Sequence, residues 1–253
     1  MPPRASPEFD PSDLQRTTRV SRMTPLIETT SVQVDYPHSD GVLRLYDDGV
    51  SLAVNQGDFT AVLGASGWGK STLINVILGL EKPTSGTIHF RGEDVTRRSF
   101  LKRRELVKTA AIFQRPTALP QLTVSQNLSL ALSISGVSGK EREERVRESL
   151  SFFGLERLGR AYPEYLSAGQ RRRIDLARAM AVRPELLVID EPTADLDSSA
   201  SNLVLPLLRG LNRDQKISIL IATSMPRCAA EADHLVRLKS PGFLTSQNRL
   251  VES

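Results

Sequence analysis

The sequence predicts an α/β fold built on a mostly parallel sheet, with helices covering both faces. Three observations carry the prediction. A glycine-rich loop joins a short apolar strand, residues 59–63, to a helix beginning at Lys70. Two later runs, residues 186–189 and 217–222, are apolar throughout and have strand length. A helical pattern separates them, and strands apolar on both faces belong to parallel sheets buried on both sides.

A chain of 253 residues is long enough for one large domain of this class with a full core. Its 40% hydrophobic and 25% charged residues are those of an ordinary globular protein, which excludes the fibrous and wholly disordered classes. The net charge of +4 is mild, so no nucleic-acid partner is expected. A single cysteine, Cys228, rules out an internal disulfide framework and suits a reducing compartment. No stretch reaches the length of a membrane span without a charge or a turn residue. Contact with a membrane is therefore expected only through a partner.

Taken in order, residues 1–24 are rich in Pro, Ser, Arg and Thr and are expected to form a disordered extension. Glu8, Asp10 and Asp13 argue against a transit peptide, and Met23 offers a second start. Residues 26–63 carry short β-type runs, with turns expected at Asp47-Asp48-Gly49 and Asn55-Gln56-Gly57-Asp58. A helix over residues 70–80 precedes the Pro83-Thr84-Ser85-Gly86 turn and a strand at residues 87–90. Residues 120–182 are helical in pattern, with Val146, Leu150 and Phe153 on one stripe and Glu143 four residues before Arg147. The folded domain is expected over residues 25–240, with 241–253 as a tail.

Gly64-Ala65-Ser66-Gly67-Trp68-Gly69-Lys70-Ser71, followed by Thr72, fits the phosphate-loop pattern between a buried strand and a helix. The glycines permit positive φ, so that backbone N–H groups curl round a phosphate at a helix N-terminus whose dipole favours an anion. Lys70 then reaches the β- and γ-phosphates, and Ser71 offers its hydroxyl to Mg²⁺. The fold class sharpens to a P-loop NTPase. The strand at residues 186–189 ends in Asp190 and Glu191, at the sheet edge where open α/β folds bind ligands. Asp190 is placed to hold Mg²⁺, and Glu191 to polarise an attacking water.

Leu166-Ser167-Ala168-Gly169-Gln170 lies about twenty residues before Asp190. It resembles the LSGGQ signature of ABC ATPases, with Ala168 in place of one glycine. Gln114 matches that family's Q-loop, Asp197 its D-loop, and Tyr36 the aromatic that stacks on adenine. The resemblance spans almost all of residues 26–239, and it implies an antiparallel β subdomain and a helical subdomain around the parallel core. It further implies that Ser167, Ala168, Gly169 and Gln170 face ATP held by a second ABC ATPase domain, of the same or a related chain, in a head-to-tail dimer. Gln114 would sense the γ-phosphate and Mg²⁺, and Asp197 would lie at the dimer seam. The loops at residues 80–86, 115–122 and 135–138 resemble the macrolide-export, lipoprotein-release and FtsE-like branch. That branch works on an integral membrane permease, which implies a cytoplasmic location on the inner face of the membrane.

One departure stands out. The family has a histidine after the last core strand, where this chain has Ser224. None of His38, His89 and His234 is placed to replace it. A hydroxyl lacks the reach of imidazole and cannot become cationic, so slow ATP hydrolysis is expected. Two other readings stay open: a soluble ABC ATPase of the cofactor-assembly kind, and a nucleotide-gated clamp that scarcely hydrolyses.

Overall fold

The computed structural model describes residues 24–245 apart from 40, 195 and 197, and leaves out the side chains of 198–200 and 242–245. The expected N-terminal extension lies outside the described residues but for Thr24. Two sheets of five strands form the frame. The antiparallel sheet has the order β10-β2-β1-β4-β5, from Gly242–Thr245, Gly41–Val54, Ile27–His38, Ser85–Phe90 and Glu93–Asp94. The parallel sheet has the order β6-β7-β8-β3-β9, from Thr109–Ile112, Leu186–Asp190, Ser218–Thr223, Phe59–Leu63 and His234–Arg237.

The apolar strands β3, β7 and β8 are buried along their whole length because each face meets a different core. On one face Phe59, Ala61, Leu187, Ile189, Ile219 and Ile221 pack with the helices α3 (Val124–Ile134), α4 (Gly139–Phe152), α5 (Ala168–Ala181) and α6 (Ser198–Gln215). On the other, Val62, Val188 and Leu220 pack with α1 (Lys70–Leu78) and with Ile27, Val34 and Ile88 of the antiparallel sheet. The period-2 alternation of a strand sends neighbouring residues into opposite cores, which is why the pattern reads as continuously apolar. The phosphate-loop strand β3 sits between β8 and β9. Two further α-helices among the described residues are short, α2 (Phe100–Leu106) and α7 (Pro226–Ala229).

Three details differ from the sequence reading. Asp47-Asp48-Gly49 does not reverse the chain: it is an irregularity inside β2, with Tyr46 at φ 65° and Gly49 at φ 69°. A Cβ on Gly49 would stand 2.7 Å from Ser31 Cα in the neighbouring strand, so the turn-like composition serves a close approach between strands. The segment assigned to a tail contains β10, paired antiparallel with β2 from Gly242↔Arg44 to Thr245↔Gly41. The helix after the phosphate loop stops at Leu78 because Gly79, at φ 78°, caps it.

Candidate nucleotide site

The loop between β3 and α1 is shaped by Gly67 at φ 81° and Gly69 at φ 83°. Gly69 occupies the N-cap of α1 with no side-chain cap, and no acidic residue stands in the first turn. The first N–H groups of the helix are thus left for an anion. A Cβ on Gly69 would lie 2.8 Å from both Leu45 Cδ1 and Tyr46 Oη. Tyr46 Oη also donates to Gly69 O at 2.5 Å, tying the loop to the antiparallel sheet.

Above the loop opens a cavity of about 420 Å³, within the range of small-molecule sites. Ser66, Gly67, Gly69, Lys70, Ser71 and Thr72 of the loop and helix line it together with Gln114, Glu191, Ala194, Ser224 and Met225. Tyr36, Leu43 and Leu45 close the side toward the antiparallel sheet. Tyr36 Oη donates to Glu81 Oε1 at 2.5 Å and lies 3.4 Å from Thr72 Oγ1. Burial, and then the Glu81 hydrogen bond, raise its pKa, so the ring stays a neutral phenol. Gly64, Ala65 and Trp68 do not line the cavity. Ala65 O accepts from Lys70 Nζ at 3.0 Å, and Trp68 packs against Gly64.

Lys70 is 6% exposed and ion-paired with Glu191, Nζ to Oε1 at 3.2 Å. Glu191 holds φ 48°, in a left-handed conformation that costs a non-glycine residue about 1–2 kcal/mol. Its Oε2 accepts from the backbone N–H of Ser224 at 3.1 Å and from Thr223 Oγ1 at 3.3 Å. Ser224 thus meets Glu191 through its backbone, a contact that any residue would make, while its exposed side chain borders the cavity.

Asp190 is 4% exposed, and its Oδ1 is buried without a hydrogen-bond partner. Burial raises its pKa, against the lowering effect of a hydrogen bond with Ser71. An orphaned carboxylate oxygen beside a hydroxyl fits a hard cation, and Mg²⁺ takes one or two protein oxygens with phosphates and water supplying the rest. No cluster of three or more His, Cys, Asp or Glu side chains able to hold a metal occurs among the described residues. Ser71 and Asp190 fit such an ion, and Gln114, expected to sense it, lines the same cavity as Ser71.

The signature residues stand apart from this cavity. Ser167 is the exposed N-cap of α5, in a capping box with Gln170: Gln170 N donates to Ser167 Oγ at 3.2 Å, and Gln170 Oε1 accepts from Ser167 N at 2.9 Å. Ala168 and Gly169 open the helix, and none of the four lines the cavity. Asp197 lies outside the described residues. His38, His89 and His234 sit in β1, β4 and β9, away from the cavity walls.

Sequence reasoning missed two residues here. Arg172 is 5% exposed and donates to the carbonyls of Phe113, Asp190, Glu191 and Pro192. Asp175 is 1% exposed and accepts from Thr117 N at 3.3 Å and Arg178 Nη2 at 3.2 Å, anchoring the loop after Gln114. The signal was available: helical spacing puts Arg172, Asp175, Leu176 and Ala179 on one stripe, and that stripe is the buried one.

The profile of the family described as ABC transporter matches residues 48–194, more than half of the chain. The chain belongs to the ABC transporter family. Among its relatives, the methionine import ATP-binding protein MetN 2 of Rhodococcus jostii is 39% identical over 218 residues, 85% of this chain and 64% of that protein. The macrolide export ATP-binding/permease protein MacB of Shigella flexneri is 36% identical over 219 residues, 86% of this chain and 34% of that protein. This chain therefore spans about a third to two thirds of the length of these relatives. The likeness to the macrolide-exporter branch holds, alongside a likeness to methionine import proteins. Among solved structures, the ATP-binding cassette MJ0796, a post-hydrolysis dimer with ADP and Pi, superposes with a TM-score of 0.75 at 29% identity, covering 87% of this chain and 99% of that one. The chain is an ABC ATPase cassette in fold.

Proposed function

We propose that this ABC cassette is the ATP-binding subunit of a transporter or mechanotransmission complex, coupling ATP binding and hydrolysis to a separate membrane permease. The carrying observation is the adjacency of Phe113 and Gln114. Gln114 borders the nucleotide cavity, while Phe113 borders a second, apolar cleft of about 370 Å³ that also takes in Leu80, Phe100, Ala131 and Ile134. Leu80 is 54% exposed and Ile134 73% exposed, as expected of a surface awaiting an apolar partner segment. A shift of Gln114 toward a γ-phosphate is passed directly to the cleft wall. No helix among the described residues is long and apolar enough to cross a membrane; in this reading the apolar cleft is where a separate permease holds the chain at the inner face of the membrane.

In this reading ATP lies along the cavity, adenine against Tyr36 and phosphates over Lys70 and the N-terminus of α1. Mg²⁺, held through Ser71 and Asp190, would neutralise phosphate charge. Glu191 accepts a proton from the attacking water once Lys70 has left it for the phosphates. Ser167 through Gln170, remote from their own cavity, serve that of a second cassette in a head-to-tail dimer, with Asp197 at the seam. Purification from detergent-solubilised membranes tests the coupling: a permease should come with the chain. A chain recovered without any membrane protein favours the soluble ABC ATPase reading instead.

Ser224 supports a second reading, a nucleotide-gated clamp that closes on ATP and turns over very slowly. Single-turnover phosphate release, with Lys70→Ala as the non-binding control, separates the two. Release within minutes supports the motor, and its absence supports the clamp.

A further inference from the structure

The guanidinium of Arg172 stands outside the nucleotide cavity, yet it reaches both strands whose ends carry the reacting groups. Its Nε donates to Pro192 O at 3.0 Å and its Nη1 to Phe113 O at 2.9 Å. Its Nη2 donates to the carbonyls of Asp190, at 3.4 Å, and Glu191. Phe113 immediately precedes Gln114, and Asp190 and Glu191 are the acidic pair itself. The register between β6 and β7 ends at Ile112↔Ile189. Arg172 carries the join one residue further, where the hydrogen bonds of the sheet stop. A planar fork of fixed donors suits this, because it sets the accepting carbonyls in one plane with little freedom left.

Glu191 stands at φ 48°, a conformation that a non-glycine residue leaves unless its surroundings hold it. Glu191 N donates to Ala222 O at 2.8 Å, and Arg172 holds the carbonyls of Glu191 and Pro192 on the other side. That backbone is what points the carboxylate into the cavity, within 3.2 Å of Lys70. The same α5 is capped at its start by Ser167, so its signature end and the acidic pair are parts of one rigid connection.

We propose that Arg172 is a positioning residue for hydrolysis. Through the carbonyls of Phe113, Glu191 and Pro192 it sets Gln114 and Glu191 in their working geometry and ties both to the signature helix. The proposal rests on the ATPase reading above. Lys70, Ser71 and Tyr36 come from other elements, so nucleotide binding survives its loss while turnover does not.

The test uses the full chain with Arg172→Met, which keeps the length and apolar stem but removes every donor, and Arg172→Lys, which keeps the charge. Single-turnover phosphate release from Mg-ATP is measured beside ADP affinity, the latter from Trp68 fluorescence. In Arg172→Met, release falls about 30-fold or more, the scale of a misplaced reacting group. ADP affinity stays within about threefold or tightens, as Glu191 no longer holds Lys70. Arg172→Lys falls between the two. Unchanged release overturns the proposal. So does a loss of ADP affinity in step with release, the mark of a general structural role. Should Arg172→Met not fold, Arg172→Lys is judged by the same two criteria. A wild-type chain that binds neither ADP nor ATP overturns the ATPase reading itself.

Discussion

In the proposed reading Lys70 must leave Glu191 before ATP can be used, and Glu191→Gln isolates what that costs. The pair is 3.2 Å apart, with the two side chains 6% and 12% exposed. At an effective dielectric of about 20 its gross attraction is about 5 kcal/mol, most of it offset by desolvation of the two charges. A hydrogen bond to a charged group nets about 1.5–3 kcal/mol and a neutral one about 0.5–1.5 kcal/mol. Replacing the carboxylate by an amide therefore frees Lys70 by roughly 1.4 kcal/mol, or about tenfold in affinity. The one amide oxygen serves Ser224 N and Thr223 Oγ1, so the local backbone has no reason to move, and the NH₂ left facing Lys70 accepts nothing from it, which makes the tenfold a lower bound. Trp68 is the only tryptophan and stands in the phosphate loop, so its fluorescence reads binding directly. ADP is the ligand of choice, because it lacks the γ-phosphate that a second cassette would grip. Glu191→Gln is expected to bind ADP about tenfold tighter and to hydrolyse ATP about 10²–10⁴-fold more slowly. ADP affinity that is unchanged or weaker refutes the competition between carboxylate and phosphate.

Ser224→His supplies the missing imidazole at an exposed position whose backbone contact with Glu191 is unaffected by the side chain. Turnover of the purified protein should rise about tenfold or more, and an unchanged rate means that Ser224 does not limit it. Asp190→Asn removes a buried carboxylate whose folded-state pKa is raised by burial. With a folded pKa above the unfolded one, the penalty is absent below the unfolded value and complete once pH exceeds the folded one. Without Mg²⁺ the variant should therefore melt higher than wild type at pH 7, the advantage shrinking toward pH 4, while Mg²⁺-dependent hydrolysis is lost; equal melting curves at pH 7 would count against the buried charge. Tyr36→Ala should weaken ATP binding by about 1–2 kcal/mol, the worth of a base–aromatic stack, with hydrolysis at saturation little changed. A titration showing undiminished affinity would remove Tyr36 from the adenine site.

Local rules account for what was legible from residues alone. The phosphate loop, the acidic strand end and the helix cap at Ser167 each depend on residue type at fixed spacing along one stretch of chain. Their physics is complete within about ten residues, as with the capping box of Ser167 and Gln170. The apolar runs placed β3, β7 and β8 in a sheet buried on both faces for the same reason. Composition misled at Asp47-Asp48-Gly49, where a turn-forming triplet makes an irregularity in a long strand, because the approach of Ser31 some twenty residues away decides its shape. The strand Gly242–Thr245 was likewise invisible, since its edge position depends on a free neighbour in β2.

What only the tertiary structure decided is how the separate motifs meet. Sequence names Lys70 and Glu191, but the pairing that ties them together before nucleotide arrives depends on two strands lying either side of β8. It names three consecutive arginines after the signature, but not that the middle one is buried against the carbonyls of Phe113, Asp190, Glu191 and Pro192. Hydrogen bonds to backbone carbonyls leave no mark on the residues that accept them, because every residue carries the same acceptor. The nucleotide chemistry is thus written in the side chains, and the framework that aims it is set by contacts between distant parts of the backbone.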